Sequence, residues 1–190
     1  MKIGETEEAR FLSAKERARR WSSGPRMSPT FCPVAVACPW QITCTTRFGL
    51  PFVRELPVVQ GEALTAPVKV QDVESDGSCF FRCLSLTICG VETYHRVVRA
   101  KLCQYMKCNA EVASSIGENI EEYIKKLDES GMKYLGKWAT ARELFGAAMW
   151  LDCDVYTYTL NKWKRFSRTY SNLDAASSPS IFLNHFKQES

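Results

Sequence analysis

Residues 73–85 read Val-Glu-Ser-Asp-Gly-Ser-Cys-Phe-Phe-Arg-Cys-Leu-Ser, and this stretch carries the strongest structural signal in the 190-residue chain. Its polar first half, residues 75–78, has the residue types of a turn. An almost uniformly apolar run follows from Cys79, which predicts a central buried helix that ends at Gly90. Residues 68–73 alternate apolar and polar side chains, so we expect a short strand before the turn.

The sequence beyond this stretch predicts further helices and strands around the same core. They are helices at 94–106, at 120–127 and from Thr140 onward, a hairpin of 154–160 with 163–168, and a last core strand at 181–183. The helix predicted from Thr140 onward has a clear start, because Thr140 and Glu143 have the spacing of a capping box. This order of elements predicts an α/β (α+β) domain in which helices flank a small central sheet.

Residues 1–66 differ from the rest of the chain. Prolines recur there too often for a helix and would remove hydrogen-bond donors from any sheet. Among them are Pro29, Pro33, Pro39, Pro51 and Pro57, with Pro67 just beyond. Only residues 9–21 have the composition of a short charged helix. We therefore expect a loosely ordered arm over residues 1–66 and a folded domain over residues 67–190.

The composition excludes several classes of protein. Hydrophobic residues make up 45% of the chain, which is enough for a core and excludes a wholly disordered protein. The formal net charge is +4, and most of it lies in residues 1–26, where seven basic residues face four acidic ones. The remainder is nearly neutral and therefore a poor match for a phosphate backbone, so nucleic acid is not the expected partner.

No segment predicts export, membrane insertion or metal binding. The acidic start lacks the apolar stretch of a signal peptide, and the longest apolar run, residues 31–42, is shorter than the ~20 residues that span a bilayer. We expect a monomer in the cytoplasm or nucleus, with mostly reduced cysteines. Cys32, Cys38 and Cys44 lack the paired close spacing of zinc sites, so neither a metal nor another cofactor is expected.

Cys79 differs from the other cysteines in its position between a glycine-containing turn and the first turn of a helix. The unpaired amides of a helix start carry partial positive charge and favour the thiolate. With the amides of residues 76–78, they could also accept the negative oxygen that forms when a thiolate attacks a carbonyl. A small buried cysteine after a turn is the alternative that spacing alone leaves open.

These residues resemble the signature of the ovarian tumour (OTU) family of cysteine deubiquitinases, Asp-Gly-x-Cys-[Leu/Phe]-[Phe/Tyr]-Arg followed by a small residue and an apolar helix. The chain also resembles further segments of this family, in the same order, at residues 94–99, 138–144, 154–158 and 181–183. The resemblance covers residues 68–190 and implies a papain-type cysteine protease fold. It also implies that Cys79 attacks the isopeptide carbonyl between ubiquitin and lysine, while Asp76 and Gly77 shape the oxyanion loop.

The general base that a cysteine nucleophile needs is expected to be a histidine, and the chain has two. For His95 the resemblance implies a structural role on the surface of its helix. His185 is followed by Phe186, as in the family, but the resemblance implies a longer interval than the four residues that separate it from Ile181. Either the turn is shortened and His185 is the base, or the chain stops before the true histidine. We favour the second interpretation.

Two main functions are compatible with these features. The first is a thiol-dependent isopeptidase that cleaves ubiquitin from proteins or polyubiquitin. Glu74, Glu92 and Asp152 are acidic residues that could attract the basic tail of ubiquitin. The second is a catalytically inactive OTU-like module or fragment that binds ubiquitin. A weaker third hypothesis is a nucleic-acid adaptor that uses the basic residues of 1–26.

Overall fold

The computed structural model describes residues 34–56, 71–168 and 179–184. The helices are α1 (Cys38–Phe48), α2 (Cys79–Cys89), α3 (His95–Cys108), α4 (Ala110–Ser115), α5 (Ile120–Glu129) and α6 (Ala141–Leu151), with a 3-10 helix at Glu92–Tyr94. The strands are β1 (Val34–Ala35), β2 (Asp154–Thr159), β3 (Lys162–Phe166) and β4 (Pro179–Asn184). The predicted α+β class, with helices beside a small sheet, is confirmed.

Helix α2 is the central buried helix that the sequence predicts. Phe81, Leu84 and Ile88 have no solvent exposure, because the helix is packed against α1 and α3. Gly90 ends the helix in the left-handed conformation at φ 81°, and its amide donates to the carbonyl of Leu86. The predicted start at Cys79 and the glycine stop are both confirmed.

The sheet has the order β1-β4-β2-β3. Strands β2 and β3 form the predicted antiparallel hairpin, joined by Leu160 and Asn161, which both have positive φ as tight hairpin turns require. Strand β4 lies between β1 and β2 and runs parallel to both. Ile181 of β4 is buried in the core. The strand begins two residues earlier and ends one residue later than the predicted core strand at 181–183.

The prediction of a strand at residues 68–73 is wrong for residues 71–73, which the structure describes. Residues 71–73 have no regular secondary structure, and residues 68–70 lie outside the described residues. Gln71 is exposed and Val73 is only partly buried, so this segment lacks the buried face that an alternating pattern needs. Strand β4 pairs with β1 and β2, so the described residues 71–73 have no part in its pairing.

The expectation that no helix forms among the prolines of residues 1–66 is wrong for α1. Pro39 is the second residue of that helix, where its missing amide costs no hydrogen bond, and Gly49 closes the helix at φ 58°. Cys44 and Leu50 belong to the buried core, and the side-chain amide of Gln41 donates to the carbonyl of Thr87 on α2. Residues 38–50 therefore pack onto the domain instead of forming part of a loose arm.

Several expectations fall on residues that the structure does not describe. The charged helix predicted at residues 9–21 lies outside the described ranges, as does Cys32.

The helices predicted around residues 94–106 and 120–127 are confirmed as α3 and α5. Across residues 34–56, 71–168 and 179–184, no helix has the length and apolar character needed to cross a membrane.

Candidate active site

Cys79 is the first residue of α2 and is partly buried. Burial raises the pKa of its thiol above the ordinary value of 9.0, and this effect outweighs the hydrogen bond from the Phe80 amide, which lowers it. The amide contribution has the sign that the helix start predicts. The expectation that the helix start makes the thiolate the favoured form is nevertheless wrong, because the loss of solvation around Cys79 raises the pKa by more than the helix start lowers it.

Asp76 is fixed within the turn that precedes the nucleophile. One carboxylate oxygen accepts the amide of Ser78 at 2.9 Å and the Nε of Arg82 at 3.2 Å, and the other accepts Arg82 Nη2 at 2.7 Å. The guanidinium of Arg82 is the main reason that the pKa of Asp76 falls from 3.8 to about 2. Asp76 is therefore ionised at neutral pH and joins the turn to α2.

The bond between Asp76 and Ser78 changes the expected oxyanion site. The Ser78 amide already donates to a carboxylate, so it is not available to a negatively charged oxygen on a substrate. The amides of Cys79 and Phe80 at the start of α2 are the better candidates, because both lower the pKa of the Cys79 thiol and so favour negative charge at that place. Asp76 thus shapes the turn, as the resemblance implies, and does so by accepting the hydrogen bond of the Ser78 amide.

Gly77 occupies a position where only glycine fits. Its φ is 74°, which disfavours any side chain, and a Cβ atom would lie 2.5 Å from the carbonyl oxygen of Gly136. The backbone of the loop at residues 132–137 therefore lies directly against the turn that carries the nucleophile. This contact joins two segments that are about sixty residues apart in the sequence.

Arg99 on α3 lies behind the same turn. It is 1% exposed, and its guanidinium carbon lies 3.9 Å from the centre of the Phe81 ring. Its Nη2 donates to the carbonyl of Gly77 at 3.2 Å and to the hydroxyl of Ser78 at 3.1 Å. The remaining bonds reach the 132–137 loop, through the carbonyls of Met132, Tyr134 and Lys137.

Two of the three predicted acidic residues lie beside the nucleophile turn. Arg82 forms ion pairs with Glu74 at 2.6 Å and with Glu92 at 3.7 Å, in addition to its pair with Asp76. Three carboxylates thus surround one guanidinium, which leaves an excess of negative charge. Asp152 belongs to a different place, at the end of α6, where it pairs with Arg168 at 2.8 Å.

Of the two histidines, the structure describes His95 but not His185. His95 begins α3 and is 8% exposed, with its Nδ1 3.0 Å from the carbonyl of Glu92. It is buried, so the expected position on the helix surface is wrong, although a bond to the turn before its own helix suits a structural residue. His185 lies outside the described residues, and the structure describes the chain up to Asn184, the last residue of β4.

The sequence indicated Cys79, Asp76 and Gly77, but not the two arginines that fix the turn. Arg99 could have been found, because it shares the apolar face of α3 with Val98, Leu102 and Met106, where a charged residue is unusual. Arg82 is part of the signature motif, but its pairing with Asp76 was not indicated, since an arginine six residues after an aspartate is not a standard helical pair. The contact of Gly136 with Gly77 had no signal in the sequence.

Residues 74–188 match the family model described as "OTU-like cysteine protease". The matched range includes the whole turn, Cys79 and position 185. Because the match extends over more than half of the chain, the protein belongs to the OTU-like cysteine proteases. The family suggested by the sequence is therefore confirmed.

Two solved structures are similar to this chain at low sequence identity. The OTU domain of OTUD1 is 21% identical, with a TM-score of 0.48, and the alignment covers 62% of this chain and 78% of that chain. The viral OTU domain protease from Dera Ghazi Khan virus is 14% identical, with a TM-score of 0.42, and the alignment covers 60% and 74%. No curated protein matches the chain.

Proposed function

We propose that this OTU-like cysteine protease is a thiol-dependent isopeptidase that hydrolyses the bond between the carboxyl end of ubiquitin and a lysine. The observation that carries the proposal is the position of Cys79, a partly buried thiol at the start of a buried helix, where the backbone amide of Phe80 favours the thiolate. The turn before it is fixed by an ionised Asp76 and by a glycine at φ 74°, which lets the turn lie against the backbone of Gly136.

The reaction follows from this arrangement. The Cys79 thiolate attacks the isopeptide carbonyl, and amides at the start of α2 stabilise the oxyanion that forms. The carbon–nitrogen bond then breaks, and the lysine amine leaves with a proton supplied by a histidine, while ubiquitin stays on the sulfur as a thioester. Water, deprotonated by the same histidine, hydrolyses the thioester and restores the thiol.

The raised pKa of Cys79 supports the need for a base. Burial keeps the thiol protonated near neutral pH, so a group that takes its proton is required for attack. We propose His185 for this role, in place of the interpretation favoured from the sequence, in which the histidine lies beyond residue 190. Support comes from the family match, which includes position 185, and from β4, which belongs to the central sheet and ends one residue before it.

A ubiquitin probe with a reactive propargyl end tests the proposed activity. We expect it to label the wild type and Cys83→Ala but not Cys79→Ala. Cys83 is a suitable control, because it lies one turn further along α2 and burial raises the pKa of its thiol to about 12. If the wild type is not labelled, the proposed activity is wrong for this chain.

A second experiment tests the base. If His185 takes the proton, His185→Gln should lower the labelling rate by roughly a thousandfold, as loss of a member of a catalytic triad does. A rate that is unchanged would assign the base elsewhere. The coding sequence after codon 190 would then be searched for a histidine followed by tyrosine or phenylalanine.

The alternative function is an inactive module that binds ubiquitin. Burial of the Cys79 thiol is compatible with this alternative too, because burial raises its pKa and disfavours the thiolate unless a base takes the proton. Titration of ubiquitin into Cys79→Ala separates the cases. Saturable binding without probe labelling of the wild type supports the module, and labelling of the wild type contradicts it.

We also propose a monomer that functions in the cytoplasm or nucleus. Support for the compartment comes from the eight cysteines of the described residues, all of which are free thiols, as in proteins of reducing compartments. Sedimentation velocity tests the first part of this proposal and fluorescence imaging of the tagged chain tests the second.

A further inference from the structure

The peptide between Gly77 and Ser78 is held at both of its polar ends. Arg99 Nη2 donates to its carbonyl oxygen at 3.2 Å, and its N–H donates to Asp76 at 2.9 Å. Because a peptide group is planar and its carbonyl and N–H point in opposite directions, these two bonds fix its rotation. Cys79 follows directly, so the direction of the next amide depends on this peptide.

We propose that Arg99 is a positioning residue for the nucleophile, an inference that rests on the proposed function. It holds the nucleophile turn and the 132–137 loop together as one rigid unit. The bonds from one guanidinium to Gly77 and Ser78 on one side, and to Met132, Tyr134 and Lys137 on the other, join the two segments.

The requirement for arginine follows from the geometry. The two terminal nitrogens lie within hydrogen-bonding distance of five oxygen atoms, and their four N–H groups point in directions set by a planar group. The group is almost completely buried and lies against the ring of Phe81. A lysine offers three donors on a single flexible atom, so it keeps the charge but cannot serve both segments at once.

The consequence for catalysis is preorganisation. A donor that stabilises an oxyanion acts only when it points at the place where negative charge develops. If the Gly77–Ser78 peptide rotates, the start of α2 loses this alignment, although the substrate can still bind to the outer surface. Loss of Arg99 is therefore expected to lower the rate of the chemical step more than the affinity.

The kinetic test uses the ubiquitin propargyl probe with purified full chain. Arg99→Lys should lower the maximal labelling rate kinact by roughly tenfold or more, with the half-saturating concentration KI changed less than about twofold. Ser78→Ala removes one acceptor of Arg99 and keeps the fold, so it should lower kinact in the same direction by a smaller factor.

Arg142→Met is the matched control. Arg142 is also a largely buried arginine beside an aromatic ring, Tyr123, but it bonds to Glu118 and not to the nucleophile turn. Its loss should leave kinact unchanged. The inference is overturned if folded Arg99→Lys and Ser78→Ala both keep the wild-type kinact, or if Arg142→Met loses as much.

Hydrogen exchange tests the same inference without any need for activity. In Arg99→Lys the amides of residues 77–80 and of 132–137 should exchange faster together, while Arg142→Met should leave both segments unchanged. Unchanged exchange in both segments overturns the inference. If the wild type is not labelled by the probe but the two segments respond together, the proposed activity is wrong while the coupling by Arg99 is retained.

Discussion

The carboxylate of Asp76 and the guanidinium of Arg82 form a two-bonded ion pair, with Nε 3.2 Å from one oxygen and Nη2 2.7 Å from the other. Arg82 lies one turn into α2, so this pair ties the turn before the nucleophile to the helix after it. The side chain of Arg82 is 13% exposed, which shields the pair from solvent on one side. Asp76 uses one of the same oxygens to hold the Ser78 amide.

Asp76→Asn is expected to reduce labelling without unfolding the protein. The amide oxygen of asparagine can still accept the Ser78 N–H, but it carries no charge for Arg82, so the turn is less well fixed. We expect kinact for the ubiquitin probe to fall by roughly tenfold. Asp128→Asn, which loses an ion pair with Lys107 on α3, is the control and should keep the wild-type rate. Equal rates for wild type and Asp76→Asn would refute this role of Asp76.

The contribution of Asp76 to stability depends on pH. Its pKa in the folded protein is about 2, below the ordinary 3.8, so the ionised carboxylate favours the folded state. This contribution is complete above pH ~4 and is lost as the pH falls towards about 2. The difference in urea midpoint between wild type and Asp76→Asn should therefore be largest near neutral pH and shrink as the solution is acidified below pH ~4. A difference that stays constant over that range would show that the charge is not its cause.

Gly77→Ala should lower the free energy of unfolding by more than Gly49→Ala does. Both glycines have positive φ, at 74° and 58°, and each alanine therefore costs about 1–2 kcal/mol of conformational strain. At Gly49 the new Cβ atom meets open space, whereas at Gly77 it would lie 2.5 Å from the Gly136 carbonyl. Urea unfolding of both variants should show the larger loss for Gly77→Ala. Only that variant should also lose probe labelling, and similar losses in both would contradict the contact.

Glu74→Gln should weaken the capture of ubiquitin in a way that depends on salt. Glu74 is 67% exposed beside the nucleophile turn, where it adds to the excess negative charge around Arg82. Its removal should raise KI by roughly two- to threefold at low ionic strength, and the effect should disappear at high salt. Glu129→Gln removes an equally exposed charge from α5 and is the control. A salt-independent change would indicate a direct contact instead of electrostatic attraction.

Thr140→Ala should destabilise the protein by about 1 kcal/mol, the usual cost of losing a helix cap. The Thr140 hydroxyl accepts the amide of Arg142 at 3.3 Å, while the Thr140 amide donates to Glu143 at 2.7 Å. Helix α6 packs against α3, so loss of the cap affects the core. Thermal unfolding of the two proteins is the measurement, and an unchanged melting temperature would show that the cap is not needed.

Interactions between residues close in sequence were largely predictable. The nucleophile turn, the start of α2 and the capping box at Thr140 each depend on neighbours within a few positions, so the residue types reveal them. The prolines were misleading because their position matters more than their number. Pro39 stands in the first turn of α1, where no donor is lost.

The order of residues along the chain was enough to establish that a cysteine begins a buried helix after a glycine turn, because the backbone preferences and apolar pattern that produce this are local. What holds that turn in place was settled only by the packing of distant segments. Arg99 reaches Gly77, 22 positions earlier, and Lys137, 38 positions later, and both bonds exist only once α3 is packed behind the nucleophile. A periodic pattern shows that a residue is buried, but its partners are set by which distant segments the fold brings into contact.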